Sequence, residues 1–162
     1  MLSKSCTYGI QASVFVAAAA QEGFVPIREI SGSLGISHHF LTKVLQGLTR
    51  RGIMRSFRGP NGGVALAQPA ERLTLKQLVL AIDGPELFEC CVLGLPNCGT
   101  DRPCPLHDDW GRVRGGIDDT LSETTVAELA VRFRQGGTPL LDLNAFFIDR
   151  NKTKESQKRN GA

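Results

Sequence analysis

Residues 30–68, ISGSLGISHHFLTKVLQGLTRRGIMRSFRGPNGGVALAQ, change their hydrophobic period once, at Gly52. Up to that glycine, Phe40, Leu41, Val44, Leu45 and Leu48 recur at the three- and four-residue steps that line one face of a helix. Ser37 is placed to cap the start of that helix and Gly52 to stop it. Just upstream, VPIREISGSLGIS predicts a shorter helix that ends in a turn at Gly35. Beyond Gly52, IMRSF and VALAQ are strand-like runs around RGPNGG, a turn rich in Gly, Pro and Asn. Two helices joined by a tight glycine turn predict a helix-turn-helix, and a hairpin directly after them is a wing. The expected fold class is mainly α with a small β-wing, a winged helix-turn-helix followed by a long helix.

The rest of the chain reads as helices around that unit. Tyr8, Ala12, Phe15, Val16 and Ala19 have helical spacing near the start. In TLKQLVLAIDG, Thr74 and Gln77 stand in capping-box spacing, and Gly84-Pro85 breaks the helix. Leu106, Trp110, Val113, Ile117 and Leu121 recur at steps of four, three, four and four, the pattern of a long amphipathic helix that needs a partner surface. Thr125 and Glu128 box the start of another helix. A chain of 162 residues buries a core without disulfides. It holds no apolar run near the roughly 20 residues of a membrane span and no signal-cleavage pattern, so a cytoplasmic protein without a membrane partner is expected.

The net charge of +3 hides an asymmetry. Residues 1–64 carry seven Lys/Arg against two Asp/Glu, residues 65–149 seven against thirteen, and residues 150–162 five against one. The first third is therefore a candidate polyanion surface, and the basic tail is expected to be disordered. If the apolar stripe faces the core, Ser37, His38, His39, Thr42, Lys43 and Gln46 face outward, hydrogen-bonding groups that suit base edges in a major groove. Arg50, Arg51 and Arg55 suit phosphates. In the wing, Arg58 precedes Gly59, Asn61 and further glycines, a turn that lets backbone come close to another molecule while the arginine enters a minor groove. Adjacent His38 and His39 point about 100 degrees apart on a helix, which disfavours joint metal ligation.

Residues 89–110, ECCVLGLPNCGTDRPCPLHDDW, hold four of the five cysteines. Cys98, Cys104 and His107 lie six and three residues apart, and Cys90 or Cys91 offers a further thiolate. Soft thiolates suit iron-sulfur clusters and zinc, and zinc is disfavoured because the paired knuckles of structural zinc sites are missing. A Cys-x-x-Cys redox motif is missing too. Nothing indicates an enzyme: there is no phosphate-binding glycine loop with its lysine and no ordered acid pair.

The series TYGIQA, REISGSLGISHHFLTKVLQGLTRRGIM, RGPNGGVALAQP and LTLKQLVLAIDG with the downstream cysteine loop resembles the Rrf2 family of bacterial transcriptional regulators, over about residues 1–135. The resemblance implies a homodimer on a double-stranded DNA operator, with the helix from about Pro105 to Leu121 as its seam. It also implies an iron-sulfur cluster, 2Fe-2S or 4Fe-4S, on three cysteines of the loop. CVLGLPNC favours Cys91 over Cys90 as the first ligand beside Cys98 and Cys104, and His107 stands where cluster regulators have a histidine ligand. Where nitric oxide sensors of the family use a carboxylate on the first helix, this chain has Thr7. The organisation expected is a DNA-binding domain over residues 1–84, a cluster-binding loop over 85–104, a dimerisation helix and helical region over 105–149, and the tail. The function expected is a regulator whose operator affinity follows the state of the cluster. The alternative is a cluster-free regulator switched by cysteine oxidation, a small effector or a partner protein.

Overall fold

Helix α1 spans Lys4–Ala18, and Lys4 is its one charged residue. Ser3 caps it by accepting the Cys6 N–H at 3.0 Å. The computed structural model describes residues 2–19, 23–60 and 62–135; Asn61, residues 136–149 and the basic tail lie outside them. Cys6, Ala12, Val14 and Phe15 are buried along α1, and the third, fourth and last helices all pack on it. A Cβ on Gly9 would run into the Ile82 side chain, so glycine is what lets α1 and the fourth helix approach this closely.

Helix α2, Ile27–Leu34, ends at Gly35 with φ of +62°, the left-handed residue that turns the chain. Helix α3, His38–Arg50, then buries Leu41, Val44, Leu45 and Leu48. Two expectations need correction here. Phe40 stands at the margin of the stripe, 36% exposed, and packs edge-on against Tyr8 at 5.8 Å. Ser37 occupies the cap position, but its side chain makes no capping hydrogen bond. Gly52, with φ of +72°, follows the end of α3 as expected.

Strands β1, Met54–Phe57, and β2, Gly63–Leu66, pair antiparallel with Met54 opposite Leu66 and Phe57 opposite Gly63. Val25 adds a rung by exchanging backbone hydrogen bonds of 2.8 and 2.9 Å with Val64, which fastens the wing to the segment entering α2. Helix α4, Leu75–Ile82, carries the complete Thr74/Gln77 capping box. The segment expected as plain loop after Pro85 begins with a single turn of helix, α5, Glu86–Glu89, too short to leave a periodic signal. Helix α6, His107–Glu123, buries none of its residues, whereas α7, Val126–Gln135, buries Val126 and Ala130 against α1. The Thr125/Glu128 box is made in both directions at 3.2 Å. Among the described residues the architecture is thus helical with one small antiparallel sheet.

The wing's seat depends on Gly63, because a Cβ there would overlap the Val25 carbonyl group. Replacing Gly63 with Ala forces this rung apart and is expected to destabilise the protein by about 1–3 kcal/mol, the range for overpacking a filled site. Chemical denaturation of the two proteins checks it.

Candidate functional site

Two surfaces concentrate the chemistry. On the first, α3 presents its polar side: Ser37, His38, His39, Lys43, Gln46 and Arg50 are exposed, and so is Arg51 just past its end. Thr42 is half-buried and donates its hydroxyl hydrogen to the His38 carbonyl at 2.7 Å, leaving its oxygen as an acceptor. An open cleft of about 380 Å³ runs between this side of α3, the start of α2 and the wing, with Arg28, Thr42, Gln46, Ser56, Arg58 and Gly59 along it. Arg28 was not singled out from the sequence; it is brought here by the first turn of α2, the helix that crosses the backbone in helix-turn-helix docking. Arg55 is less free than its exposure suggests. Its guanidinium lies 5.7 Å above the Phe24 ring, and its Nε donates to the Leu66 carbonyl at 3.4 Å.

The second surface is built by turns. Leu95-Pro96-Asn97-Cys98 closes with the Cys98 N–H on the Leu95 carbonyl at 3.4 Å, and Asn97 takes a φ of +63°, the proline-then-left-handed order of a type II turn. Upstream, Gly94 at φ of +64° returns its N–H to the Cys91 carbonyl at 3.0 Å. These reversals bring Cys91, Cys98 and Cys104 together, each half-buried, with their sulfurs within 4.8 Å of one another. Cys91 Sγ and Cys104 Sγ are 3.6 Å apart, and Cys98 Sγ is 3.4 Å from Nδ1 of His107, the first residue of α6. A pocket of about 260 Å³ opens beside them. Cys90 is exposed and outside the group, and Cys6 is buried in α1. Thr7 donates its hydroxyl to the Ser3 carbonyl at 3.1 Å.

The thiols are electrostatically unequal. Backbone N–H groups of Leu93 and Leu95 aimed at Cys91, helped by the Cys104 and Cys98 thiols, hold it below the ordinary thiol range. Cys104 moves the other way, chiefly through desolvation and through its neighbours in the group. The two sulfurs, 3.6 Å apart, are thus biased in opposite directions, Cys91 toward the thiolate and Cys104 toward the thiol. Burial, and then the Asp83 carboxylate, push Cys6 up to about 12. Three soft sulfurs and an imidazole at one point form a donor set for zinc or an iron-sulfur cluster.

The profile of the Rrf2 family, described as an iron-dependent transcriptional regulator, matches residues 2–132. The chain belongs to the Rrf2 family of transcriptional regulators. It is similar to the HTH-type transcriptional regulator IscR of Pectobacterium carotovorum, 33% identical over 129 residues that cover 79% of this chain and 77% of that one. In fold it matches CymR, the global cysteine regulator of B. subtilis, with a TM-score of 0.71 at 24% identity over 81% of this chain and 96% of CymR. It likewise matches T. potens IscR, with a TM-score of 0.62 at 24% identity over 80% and 85% of the two chains. The family consists of regulators, which agrees with the lack of catalytic motifs in this sequence.

In this Rrf2 regulator the inequality of the thiols has a direct readout. Alkylation of the reduced, metal-free protein near neutral pH is expected to modify Cys91 before Cys104, since the thiolate is the nucleophile. Cys6 should stay unmodified until the protein unfolds: its raised value makes the fold favour the neutral thiol, an advantage kept below the ordinary thiol pKa and lost as pH climbs toward 12. Peptide mapping of a time course tests the order.

Proposed function

We propose that this Rrf2-family regulator binds a double-stranded DNA operator as a homodimer, with an affinity set by an iron-sulfur cluster held by Cys91, Cys98, Cys104 and His107. The observation that carries the metal part is the convergence of three sulfurs within 4.8 Å with an imidazole nitrogen 3.4 Å from one of them. When bound, a 2Fe-2S or 4Fe-4S cluster would supply a redox- and iron-responsive group. The chain's own part is to fix the loop that carries it. That loop runs from α5 into α6, and α6 is fastened to the DNA-binding unit by a 2.5 Å ion pair between Lys76 of α4 and Asp118. The same Lys76 ammonium lies 5.3 Å from the Phe88 ring centre of α5. A change in the loop thus bears on the placement of α4 relative to α6. Control requires that the two loop states differ in free energy toward DNA.

Homodimerisation through α6 is supported by its lack of buried residues in the single chain. Leu106 and Val113 are 42% and 52% exposed, and Trp110, Ile117 and Leu121 beside them are only half-buried. For DNA, the reading assigns Ser37, His38, His39, Thr42 and Lys43 to the major groove, Arg50 and Arg51 to phosphates, and Arg58 with Gly59 and Asn61 to the minor groove. Arg28 joins the phosphate contacts on account of its place at the cleft. No described helix is long and apolar enough to cross a membrane; a DNA partner implies a cytoplasmic working site.

A second reading, a single zinc ion, fits the same sulfur spacing. Tetrahedral coordination with Zn–S bonds of about 2.3 Å sets sulfurs about 3.8 Å apart, near the 3.6 Å between Cys91 and Cys104. Metal and acid-labile sulfide analysis of anaerobically purified protein separates the readings. The proposal expects iron with matching sulfide; zinc alone would make the loop a structural staple, and no metal would leave thiol oxidation or an effector as the switch.

On the DNA side, Arg58→Ala is expected to weaken operator binding by about 1–3 kcal/mol. Arg50→Ala and Arg28→Ala should each lower the slope of log affinity against log salt by about one unit. Fluorescence anisotropy over a salt series reads both, and an unaltered Arg58→Ala affinity would remove the wing from the interface.

A further inference from the structure

Arg114 occupies a position that its exposure and spacing do not explain by themselves. It lies on the same side of α6 as His107 and Trp110, at the three- and four-residue steps that stack side chains on one helix face. Its Nη1 donates to the Glu89 carbonyl at 2.9 Å and to the Cys90 carbonyl at 3.4 Å. Trp110 donates its indole N–H to the same Cys90 carbonyl at 3.0 Å. Glu89 is the last residue of α5 and Cys90 its cap, in extended conformation, so these bonds satisfy carbonyls that the helix end leaves without intrahelical donors. They also fix the direction in which the chain departs toward Cys91, the next residue.

Charge adds a second effect. The Arg114 side chain lines the pocket that Cys91, Cys98, Cys104 and His107 share. Among the described residues it forms no ion pair with a carboxylate, in contrast to Lys76 and Arg112. In that pocket, which Glu89 also lines, the guanidinium would offset the negative charge the thiols take on when they lose their protons to bind a metal.

We propose that Arg114 is a positioning residue of the thiolate site, holding Cys91 in place through the Cys90 carbonyl and offsetting the negative charge of the ligand set. The inference rests on the reading that the three thiols bind a metal, whichever metal that is. Residues outside the ligands that orient them commonly change metal affinity by about 10- to 100-fold when replaced.

Anaerobic titration of the reduced full-length chain with Co(II), followed by cobalt-thiolate charge-transfer absorption, tests it. Arg114→Met, similar in length and uncharged, should bind Co(II) about 10- to 100-fold more weakly than the unaltered protein. Arg114→Lys, which keeps the charge, should recover much of that loss, a rescue that a purely packing role would not produce. Trp110→Phe removes one donor to Cys90 without changing charge and should weaken binding less than Arg114→Met. Thermal unfolding of each metal-free protein identifies a variant that has merely failed to fold, and Arg114→Gln then stands in for Arg114→Met. Unchanged Co(II) affinity in the folded uncharged variant, or a lysine variant as weak as it, overturns the proposal. Failure of the unaltered protein both to give thiolate-bound Co(II) and to take up a cluster on anaerobic reconstitution with iron and sulfide overturns the metal reading itself, and this inference with it.

Discussion

A fifteen-residue helix with a single charged side chain has no favourable place at a surface, and the rest of the structure is arranged to cover it. Helix α1 packs against α3, α4 and α7, and Gly9 lets Ile82 of α4 sit against its backbone. Each fully buried aliphatic side chain in this core is worth about 1.5–3 kcal/mol, and Ile30, Leu41, Leu45, Leu48, Leu73 and Leu78 are all 0–1% exposed. The start of α1 is tied to the end of α4 by Ser3, whose backbone N–H and hydroxyl both donate to the Asp83 carboxylate, at 2.7 and 2.5 Å. One packed body therefore supports α3, the wing and the base of the cysteine loop.

For the regulation proposed above, this sharing is the physical route. The polar side of α3 is positioned by the core on its opposite side, and the wing by the Val25–Val64 hydrogen bonds that join it to the segment before α2. The cysteine loop is held differently. Its turns are short and its apolar residues Val92, Leu93 and Leu95 are 48–50% exposed, so little hydrophobic burial fixes its shape. Its order comes from tight turns and from carbonyls clamped by Trp110 and Arg114. A segment stabilised mainly by polar contacts, with little apolar burial, is one whose conformation can follow a bound ligand.

Features encoded by neighbouring residues were legible in the sequence. The Thr74/Gln77 and Thr125/Glu128 boxes, the turn at Gly35, the stop at Gly52 and the hairpin around RGPNGG are local codes, in which a side chain or a left-handed glycine decides the backbone within four residues. Phe40 was misjudged because periodicity gives a face but not its edge, and Tyr8, which covers part of it, lies 32 positions away. Helix α5 left no periodic trace because it is one turn long. In the candidate site, Cys98, Cys104 and His107 stand out as clustered donors whose ligand roles rest on the family resemblance, and spacing does not separate Cys90 from Cys91. The chain path separates them, since the backbone of Cys90 is turned toward α6 and only the sulfur of Cys91 enters the group. Arg28 and Arg114 carried no signal because what defines them is nonlocal: a cleft formed with the wing, and carbonyls 24 and 25 residues upstream.

The central claim is that the state of the cysteine loop sets the affinity of the reading heads for DNA. Its most direct test is the affinity of one operator fragment for the metal-loaded protein and for the same preparation emptied by chelation under reducing conditions, at identical salt. The account predicts a difference of about 5- to 150-fold, the usual range of coupling between two sites. Equal affinities would contradict it and leave the thiolate site without a part in regulation.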